Sequence, residues 1–204
     1  MTRNAFFLLI SIFTLTNCQN TTNDQAPAAK ADSTSVAVKP KITAGNINED
    51  DLMIRLSADL IAEPDSLADI DQNKIINYAI DHQLDVYRSN SGLFYRIDKE
   101  GEGDQLQWGD RVSAHYRAYT LDGKEFDNSY KKARPLKFYI GNMIPGFNEG
   151  LQLLKPRGKA LFLIPSGLAY GDMGVQISEE EYLIPPNEVI VFEVEVLEKL
   201  KSAQ

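Results

Sequence analysis

The chain has 204 residues, of which 43% are hydrophobic, and a formal net charge of -8 at neutral pH. That length suits one compact domain with an appended segment, and the negative charge disfavours nucleic acid and anionic surfaces as electrostatic partners. His82 and His115 are too few and too far apart in the sequence to indicate a metal site, and Ser166 lacks the motif of a hydrolase nucleophile.

Residues 1–17 predict a signal peptide. Arg3 precedes an apolar run at residues 5–15, which has the size of a secretory-signal core and is shorter than the roughly 20 residues of a membrane span. The following Leu15-Thr16-Asn17-Cys18 resembles the lipobox of bacterial lipoproteins, in which the cysteine becomes the lipidated first residue of the mature chain. We therefore expect lipidation at Cys18 and a membrane anchor there. An ordinary signal peptide with an incidental cysteine is the alternative.

Residues 18–47 predict a disordered tether that starts at the lipidated cysteine. They are rich in Asn, Thr, Ala, Ser and Lys, and they show no hydrophobic periodicity. Such a composition buries too little apolar surface to offset the entropy of folding.

Residues 48–90 predict a small helical segment. Apolar residues recur at helical spacing in a first helix, at Leu52, Leu56 and Leu60, and in a second, at Ile76, Ala79, Ile80 and Leu84. Asp69 or Asp71 starts the second helix, and Pro64 separates the two. Three roles stay open: the helices pack on the following domain, form a homodimer, or hold unfolded clients.

Residues 91–201 predict an α+β domain, in which an antiparallel half-barrel sheet wraps on one short helix. Alternating apolar and polar residues predict strands at 112–119, 136–140, 160–164 and 189–197, with a return strand at 126–127 after an Asp-Gly turn. In the first strand Tyr116 points inward. Pro145 begins the helix, and Phe147 lies on its apolar side. Residues 172–183 are interpreted as a long loop with an acidic run at 179–181, and whether this loop is only solvated or contacts substrate stays open.

Six motifs of this domain occur in an order that resembles the FKBP-type peptidyl-prolyl cis-trans isomerases. They are Ala114-His-Tyr116, Leu121-Asp-Gly-Lys-Glu-Phe-Asp127, Met143-Ile-Pro-Gly-Phe-Asn-Glu-Gly150, Ala169-Tyr-Gly171, Ile184-Pro-Pro186 and Val191-Phe-Glu-Val194. The similarity covers roughly residues 92–200, about half of the chain, and the joint pattern is more specific than any one motif.

The resemblance implies a site that takes proline-containing polypeptides and needs no metal or cofactor. The catalytic residues implied are Tyr116, Phe126, Asp127, Tyr170 and Phe192. The substrate-binding residues implied are Leu136, Met143, Ile144, Phe147, Leu183 and Ile184. Phe147 stands where many members have Trp, and Leu136 stands where an aromatic residue is usual. A basic cluster at Lys131, Lys132 and Arg134 is interpreted as a solvated loop beside this pocket.

The leading hypothesis is a lipid-anchored isomerase in the cell envelope, facing the periplasm, that speeds the folding of exported proteins. The alternative is a non-catalytic FKBP-fold binding module or chaperone within an envelope complex. The order of signal, lipobox, two helices and isomerase domain also resembles the gliding-motility-associated lipoprotein isomerases of gliding bacteria.

Overall fold

The computed structural model describes residues 48–201, which all belong to one compact unit. The helices in this part are α1 (Glu49–Ser57), α2 (Leu67–Asp81) and α3 (Pro145–Leu151). The strands are β1 (Tyr87–Arg88), β2 (Phe94–Lys99), β3 (Arg111–Thr120), β4 (Glu125–Asn128), β5 (Leu136–Tyr139), β6 (Lys159–Ile164), β7 (Val175–Ser178), β8 (Glu181–Ile184) and β9 (Ile190–Leu200). A 3₁₀ turn, Ser166–Leu168, follows β6. The predicted signal peptide, Cys18 and the tether lie outside the described residues.

Seven of these strands form one antiparallel sheet. Their order is β1-β2-β6-β9-β3-β4, and β5 also pairs with β3. Alternation along the strands separates two buried layers: in β6, Phe162 and Ile164 face one side, and Leu161 and Leu163 face the other. We call the side of Phe162 the inner face and the opposite side the outer face. The predicted α+β half-barrel architecture is confirmed.

Helix α3 lies close against the inner face, as the sequence predicted, because two of its residues lack side chains. A Cβ at Gly146 would lie 2.4 Å from Ile164 Cγ2, and one at Gly150 would lie 2.6 Å from the ring of Phe162. Pro145 occupies the first helical position, where its missing N–H needs no partner. This approach lets Phe147 reach the centre of the inner layer, where it is fully buried.

The two N-terminal helices pack on the outer face. Their buried side chains include Leu56, Ile75 and Ile76, and these share one hydrophobic cluster with Leu163 and Val191 of the sheet. Of the three roles left open by the sequence, the structure shows the first, in which the helices pack on the following domain. A homodimer stays a prediction, and it would have to use other apolar side chains than these, since their surface is already covered.

The ends of both helices differ from the prediction. Helix α2 begins after Ser66, not at Asp69 or Asp71, since Ser66 and Asp69 form a reciprocal capping box. Helix α1 ends at Ser57, so Leu60 lies beyond it and is exposed. No helix within residues 48–201 is long and apolar enough to cross a membrane.

Residues 172–183 are largely exposed, as predicted, but the prediction that they form a loop without strands is wrong. Strands β7 and β8 form a separate two-stranded hairpin there, with Val175 opposite Ile184 and Ser178 opposite Glu181. The acidic run forms the turn and the first residue of β8, and this run of charges was interpreted as part of a loop. Strands β1 and β2 were also not predicted.

Candidate active site

An aromatic cup occupies the inner face, with Phe147 as its floor. The Phe147 ring centroid lies 4.6 Å from that of Phe192 and 6.4 Å from that of Tyr116. Phe138 and Phe162 support it from other sides, at 5.9 and 6.2 Å. Phe147, which is smaller than the Trp of many family members, is therefore packed by rings on several sides. One of these rings, Phe138, lies in the same strand as Leu136.

Phe126 and Tyr170 are the half-buried rings of this cup. Phe126 is edge-on to both Phe192 and Tyr170, with centroid distances of 6.4 Å and interplanar angles of 85° and 86°. Aromatic rings prefer such edge-to-face arrangements, which fix their relative orientation. Tyr116 completes the set, since its ring lies 5.8 Å from that of Phe192. The four aromatic residues predicted as catalytic are thus contiguous.

A bulge in β4 explains how two neighbouring residues both reach the cup. Ala118 pairs with Asp127, whereas the next residue of β3, Tyr119, pairs with Glu125, so Phe126 is an extra residue in β4. Neighbours in a regular strand point to opposite faces, and a bulge relieves that restriction. As a result Phe126 contacts Phe192 while Asp127 bonds to Tyr116.

The remaining predicted residues belong to the same hydrophobic core as the rings. Ile184 is buried in the same core, and four half-buried side chains pack against it: Leu136, Met143, Ile144 and Leu183. The structure therefore brings the predicted aromatic residues and Asp127 into direct contact and places the other predicted residues in the same core, while the separate catalytic and binding roles stay predictions.

Asp127 is the carboxylate of the cup and is held by three donors. Its Oδ2 accepts the hydroxyl of Tyr116 at 2.7 Å, and its Oδ1 accepts the Asn128 N–H at 2.7 Å and lies 2.6 Å from Lys132 Nζ. Burial pushes the pKa of the Asp127 carboxyl upward, but the bonds from Lys132, Tyr116 and Asn128 together hold it below its ordinary value. Asp127 is therefore ionised at neutral pH.

Both tyrosine hydroxyls stay protonated. Burial, followed by the hydrogen bond to Asp127, raises the pKa of Tyr116 far above its usual value. Burial and then the charge of Asp127 also raise the pKa of Tyr170. Each hydroxyl is therefore a hydrogen-bond donor at neutral pH.

Lys132 is a site residue that the sequence analysis did not identify. The basic cluster is exposed, as expected, but Lys132 contacts Asp127 and Lys131 contacts Glu125. The side chain of Asn128 accepts hydrogen bonds from the N–H groups of Tyr130 and Lys131, which turns the chain back toward the cup. The sequence signal for this contact was Asn128, a turn-forming residue, followed by Lys131 and Lys132.

Two donors at the cup have no acceptor among residues 48–201. They are the backbone N–H of Ile144 and the hydroxyl of Tyr170. Asn148, which is buried, orients the segment before Ile144: its Oδ1 accepts the N–H groups of Gly141 and Met143 at 2.8 and 3.3 Å. Asn148 was not predicted as a site residue, although an amide side chain next to Phe147 on a short helix is a recognisable signal.

No metal centre is built by the part of the chain that the structure describes, since three or more His, Cys, Asp or Glu side chains nowhere cluster there. His115 Nδ1 instead lies 2.9 Å from Ser129 Oγ, and its ring stacks on Tyr130. His82 stacks on Tyr78 of α2.

Comparison with known proteins agrees with this geometry. The family described as FKBP-type peptidyl-prolyl cis-trans isomerase matches residues 103–197. A probable FKBP-type isomerase of Haemophilus influenzae is 41% identical over 114 residues, which are 56% of this chain and 45% of that protein. The isomerase FkpA of Escherichia coli K12 is 42% identical over 113 residues, 55% of this chain and 40% of that protein.

Solved structures extend the similarity. The crystal structure of AtFKBP13 is 33% identical with a TM-score of 0.54, over 57% of this chain and 99% of that one. The crystal structure of FkpA from Escherichia coli is 33% identical with a TM-score of 0.58, over 76% and 67%. The chain belongs to the FKBP-type peptidyl-prolyl cis-trans isomerase family. Its match spans less than half the length of the two curated relatives.

Proposed function

We propose that this protein is a peptidyl-prolyl cis-trans isomerase that acts on exported, proline-containing polypeptides. The observation that supports this most is the aromatic cup, which combines apolar walls with one ionised carboxylate at its edge. The Ile144 N–H and the Tyr170 hydroxyl, which have no acceptor in the described part of the chain, add groups that can hold a peptide.

The chemistry requires rotation and no covalent step. An X-Pro bond isomerises over a barrier of ~18–20 kcal/mol, because rotation removes amide resonance. The twisted amide is less polar than the planar one, so a dry pocket favours it. The rings of Phe126, Phe147 and Phe192 enclose the proline and exclude water from the amide.

The polar groups orient the peptide. The Ile144 N–H and the Tyr170 hydroxyl bind carbonyl groups on either side of the rotating bond, which fixes one flank while the other turns. Asp127 accepts a hydrogen bond from the Tyr116 hydroxyl, and its negative charge contributes to the electrostatic field at the edge of the cup. A barrier lowered by ~6 kcal/mol corresponds to roughly 10⁴-fold acceleration, which these effects together have to supply.

A peptide assay tests the proposed activity. We expect the protein to accelerate cis-trans exchange in an Ala-Leu-Pro-Phe peptide, measured by protease-coupled absorbance or by NMR exchange. A folded protein that binds the peptide without accelerating exchange would contradict the enzyme and support the non-catalytic binding module or chaperone.

We further propose lipidation at Cys18, which lies outside the described residues. Growth with a fatty-acid analogue should label the wild-type protein and leave Cys18→Ala unlabelled, because the variant lacks the only thiol of the chain. Fractionation should place the wild type with membranes, since two or more acyl chains anchor at ~0.8 kcal/mol per buried CH₂.

The variant should appear in the soluble fraction or remain unprocessed. An unlabelled wild type that fractionates as soluble would contradict the anchor and favour an ordinary signal peptide. The proposed location is the periplasmic side of the cell envelope. The resemblance to the isomerases of gliding bacteria extends the proposal to motility, which surface spreading of a deletion strain tests.

The β7–β8 hairpin suggests a means of substrate selection. Leu183 packs beside the buried Ile184 at the base of the hairpin, where we propose that both contact the residue before proline. Residues 179–181, all glutamates, are exposed at the hairpin turn and the start of β8. Their charge should disfavour acidic clients during encounter.

Replacing Glu179, Glu180 and Glu181 with Gln should raise kcat/KM for acidic relative to basic peptides at low salt. The difference should shrink at high salt, since the Debye length is only ~8 Å at 0.15 M. The matched control neutralises residues 49–51, which are also acidic and exposed but belong to α1 on the outer face. An unchanged ratio in the hairpin variant, or an equal change in the control, would exclude selection by the hairpin.

A further inference from the structure

Asp71 of α2 is buried although it lies outside the segment that matches the family. Its side chain is 1% exposed, and the family match begins at residue 103. Its Oδ2 accepts two hydrogen bonds from Ser166, from the backbone N–H at 2.9 Å and from Oγ at 2.6 Å. A buried carboxylate is costly unless it is paired and hydrogen-bonded, so these contacts are a specific arrangement and not incidental packing.

Ser166 also forms hydrogen bonds to the segment that contains Tyr170. It is the first residue of the 3₁₀ turn, and its carbonyl accepts the N–H groups of Ala169 and Gly171 at 3.0 and 2.9 Å. Those two residues flank Tyr170 in the chain. Two successive hydrogen-bonding steps therefore connect the carboxylate of Asp71 to the backbone on both sides of Tyr170.

The side of the turn that faces α2 is incompletely packed. A pocket of about 390 Å³, lined by Asp71 and Ser166 among others, lies between α2 and residues 165–168, although Leu168 of the turn packs against the inner core. No residue among 48–201 makes a hydrogen bond to the Tyr170 hydroxyl. The position of this hydroxyl depends on its backbone and on the ring contact with Phe126.

Docking of α2 does not by itself require a carboxylate. Ile75 and Ile76, its fully buried neighbours, already join the helix to the outer face. Buried ion pairs can often be replaced by apolar residues without loss of stability. Lys74 Nζ lies 3.6 Å from Asp71 Oδ1, which has no hydrogen bond within the described residues. The strong bonds of Asp71 are thus the ones directed at the turn.

We propose that Asp71 is a positioning residue for the isomerase site: it holds the Ser166 turn and thereby places the Tyr170 hydroxyl over the cup. The inference rests on the proposed function. It also gives the N-terminal helical segment a role in catalysis, since a residue of α2 acts on a loop of the isomerase domain.

The test compares Asp71→Leu, Asp71→Asn and Asn73→Ala. Asp71→Leu removes both bonds to Ser166 and should lower kcat for the peptide roughly tenfold, because a small misplacement of a binding group can slow a reaction by up to 10²-fold. Asp71→Asn keeps an acceptor oxygen and should retain kcat within about twofold. Asn73→Ala is the matched control, since Asn73 lies on α2 but, within residues 48–201, its side chain bonds to Ile61 and not to the turn.

Amide hydrogen exchange gives a readout that does not depend on activity. In Asp71→Leu the amides of Ala169 and Gly171 should exchange faster, while those of α3 keep wild-type rates. Asp71→Asn should preserve protection at Ala169 and Gly171. If Asp71→Leu does not fold, Ser166→Ala removes the 2.6 Å bond alone and should produce the same pattern at smaller size.

The outcomes separate this inference from the proposed function. Wild-type kcat and exchange in Asp71→Leu, or an equal loss in Asn73→Ala, would overturn the positioning role. An inactive wild-type protein would overturn the proposed function. The exchange rates of Ala169 and Gly171 would in that case still decide whether Asp71 holds the Tyr170 segment.

Discussion

Asp127→Leu is expected to lower kcat/KM by at least about tenfold, or about 1.4 kcal/mol of barrier, while the fold is retained. The substitution removes the acceptor of the Tyr116 hydroxyl and the ionised group at the edge of the cup. Asp127 is only partly buried, so its replacement by an apolar residue of similar size should not unfold the domain. The measurement is peptide exchange at matched concentrations of folded protein, with circular dichroism to verify folding.

Asp127→Asn separates the charge from the hydrogen bond. The amide oxygen still accepts the Tyr116 hydroxyl, whereas the ion pair with Lys132 is lost. An activity near wild type in Asp127→Asn would assign the effect to the placement of Tyr116, and an activity as low as that of Asp127→Leu would assign it to the charge. Full activity of folded Asp127→Leu would contradict a role for this residue.

The pH dependence follows from the sign of the shift. The folded protein lowers the pKa of Asp127 below its ordinary value of 3.8. The bonds of the ionised carboxylate therefore stabilise the protein above that value, and this contribution is lost as the pH falls through the lower, folded pKa. Activity should be flat from neutral pH to about pH 5 and should fall only in stronger acid. Asp127→Asn should lack that acid decline.

The inward residues of the sheet were predictable because one simple rule determines them. Alternation in a half-buried strand places Tyr116 and Phe192 on the same side, and the helical spacing after Pro145 brings Phe147 beneath them. The family resemblance added Asp127 and Tyr170, whose polar groups no periodicity would have placed in an apolar cup.

The parts that were missed depend on contacts between distant segments. The two bonds from Asp71 to Ser166 join residues 95 positions apart, and neither residue belongs to a local motif that indicates the other. The β7–β8 hairpin was not predicted because its turn and the start of β8 are acidic, and an exposed acidic run is equally compatible with a loop. Lys132 reaches Asp127 through a turn whose geometry depends on the side chain of Asn128.

The outer face illustrates the same limit for the helical segment. The spacing of Leu52 and Leu56 predicted an apolar side on α1, and the structure buries both residues. Periodicity identifies which side of a helix is buried and not what covers it, since a sheet, a second copy or a client would all select the same residues. Only the fold distinguishes these partners, and it assigns the apolar side of α1 to the cluster that contains Leu163 and Val191.

Phe192→Ala is expected to have the largest combined effect on stability and catalysis. The Phe192 ring lies within 4.6 to 6.4 Å of the rings of Phe147, Tyr116 and Phe126, and its side chain is buried. Its removal should cost about 3–5 kcal/mol of unfolding free energy, because a buried Phe leaves a large cavity when truncated. It should also lower kcat/KM by at least about tenfold per folded molecule, since the cavity admits water beside the rotating amide.

Leu56→Ala provides the matched control for this loss of stability. Leu56 is equally buried, but it belongs to the cluster on the outer face, and its truncation should cost about 2–5 kcal/mol. Chemical denaturation gives the folded fraction of each variant, and exchange of the peptide is then compared per folded molecule. The expected result is that Leu56→Ala keeps wild-type kcat/KM and Phe192→Ala does not. Equal activity per folded molecule in the two variants would mean that the Phe192 ring serves the core alone, and would contradict its proposed role in the catalytic cup.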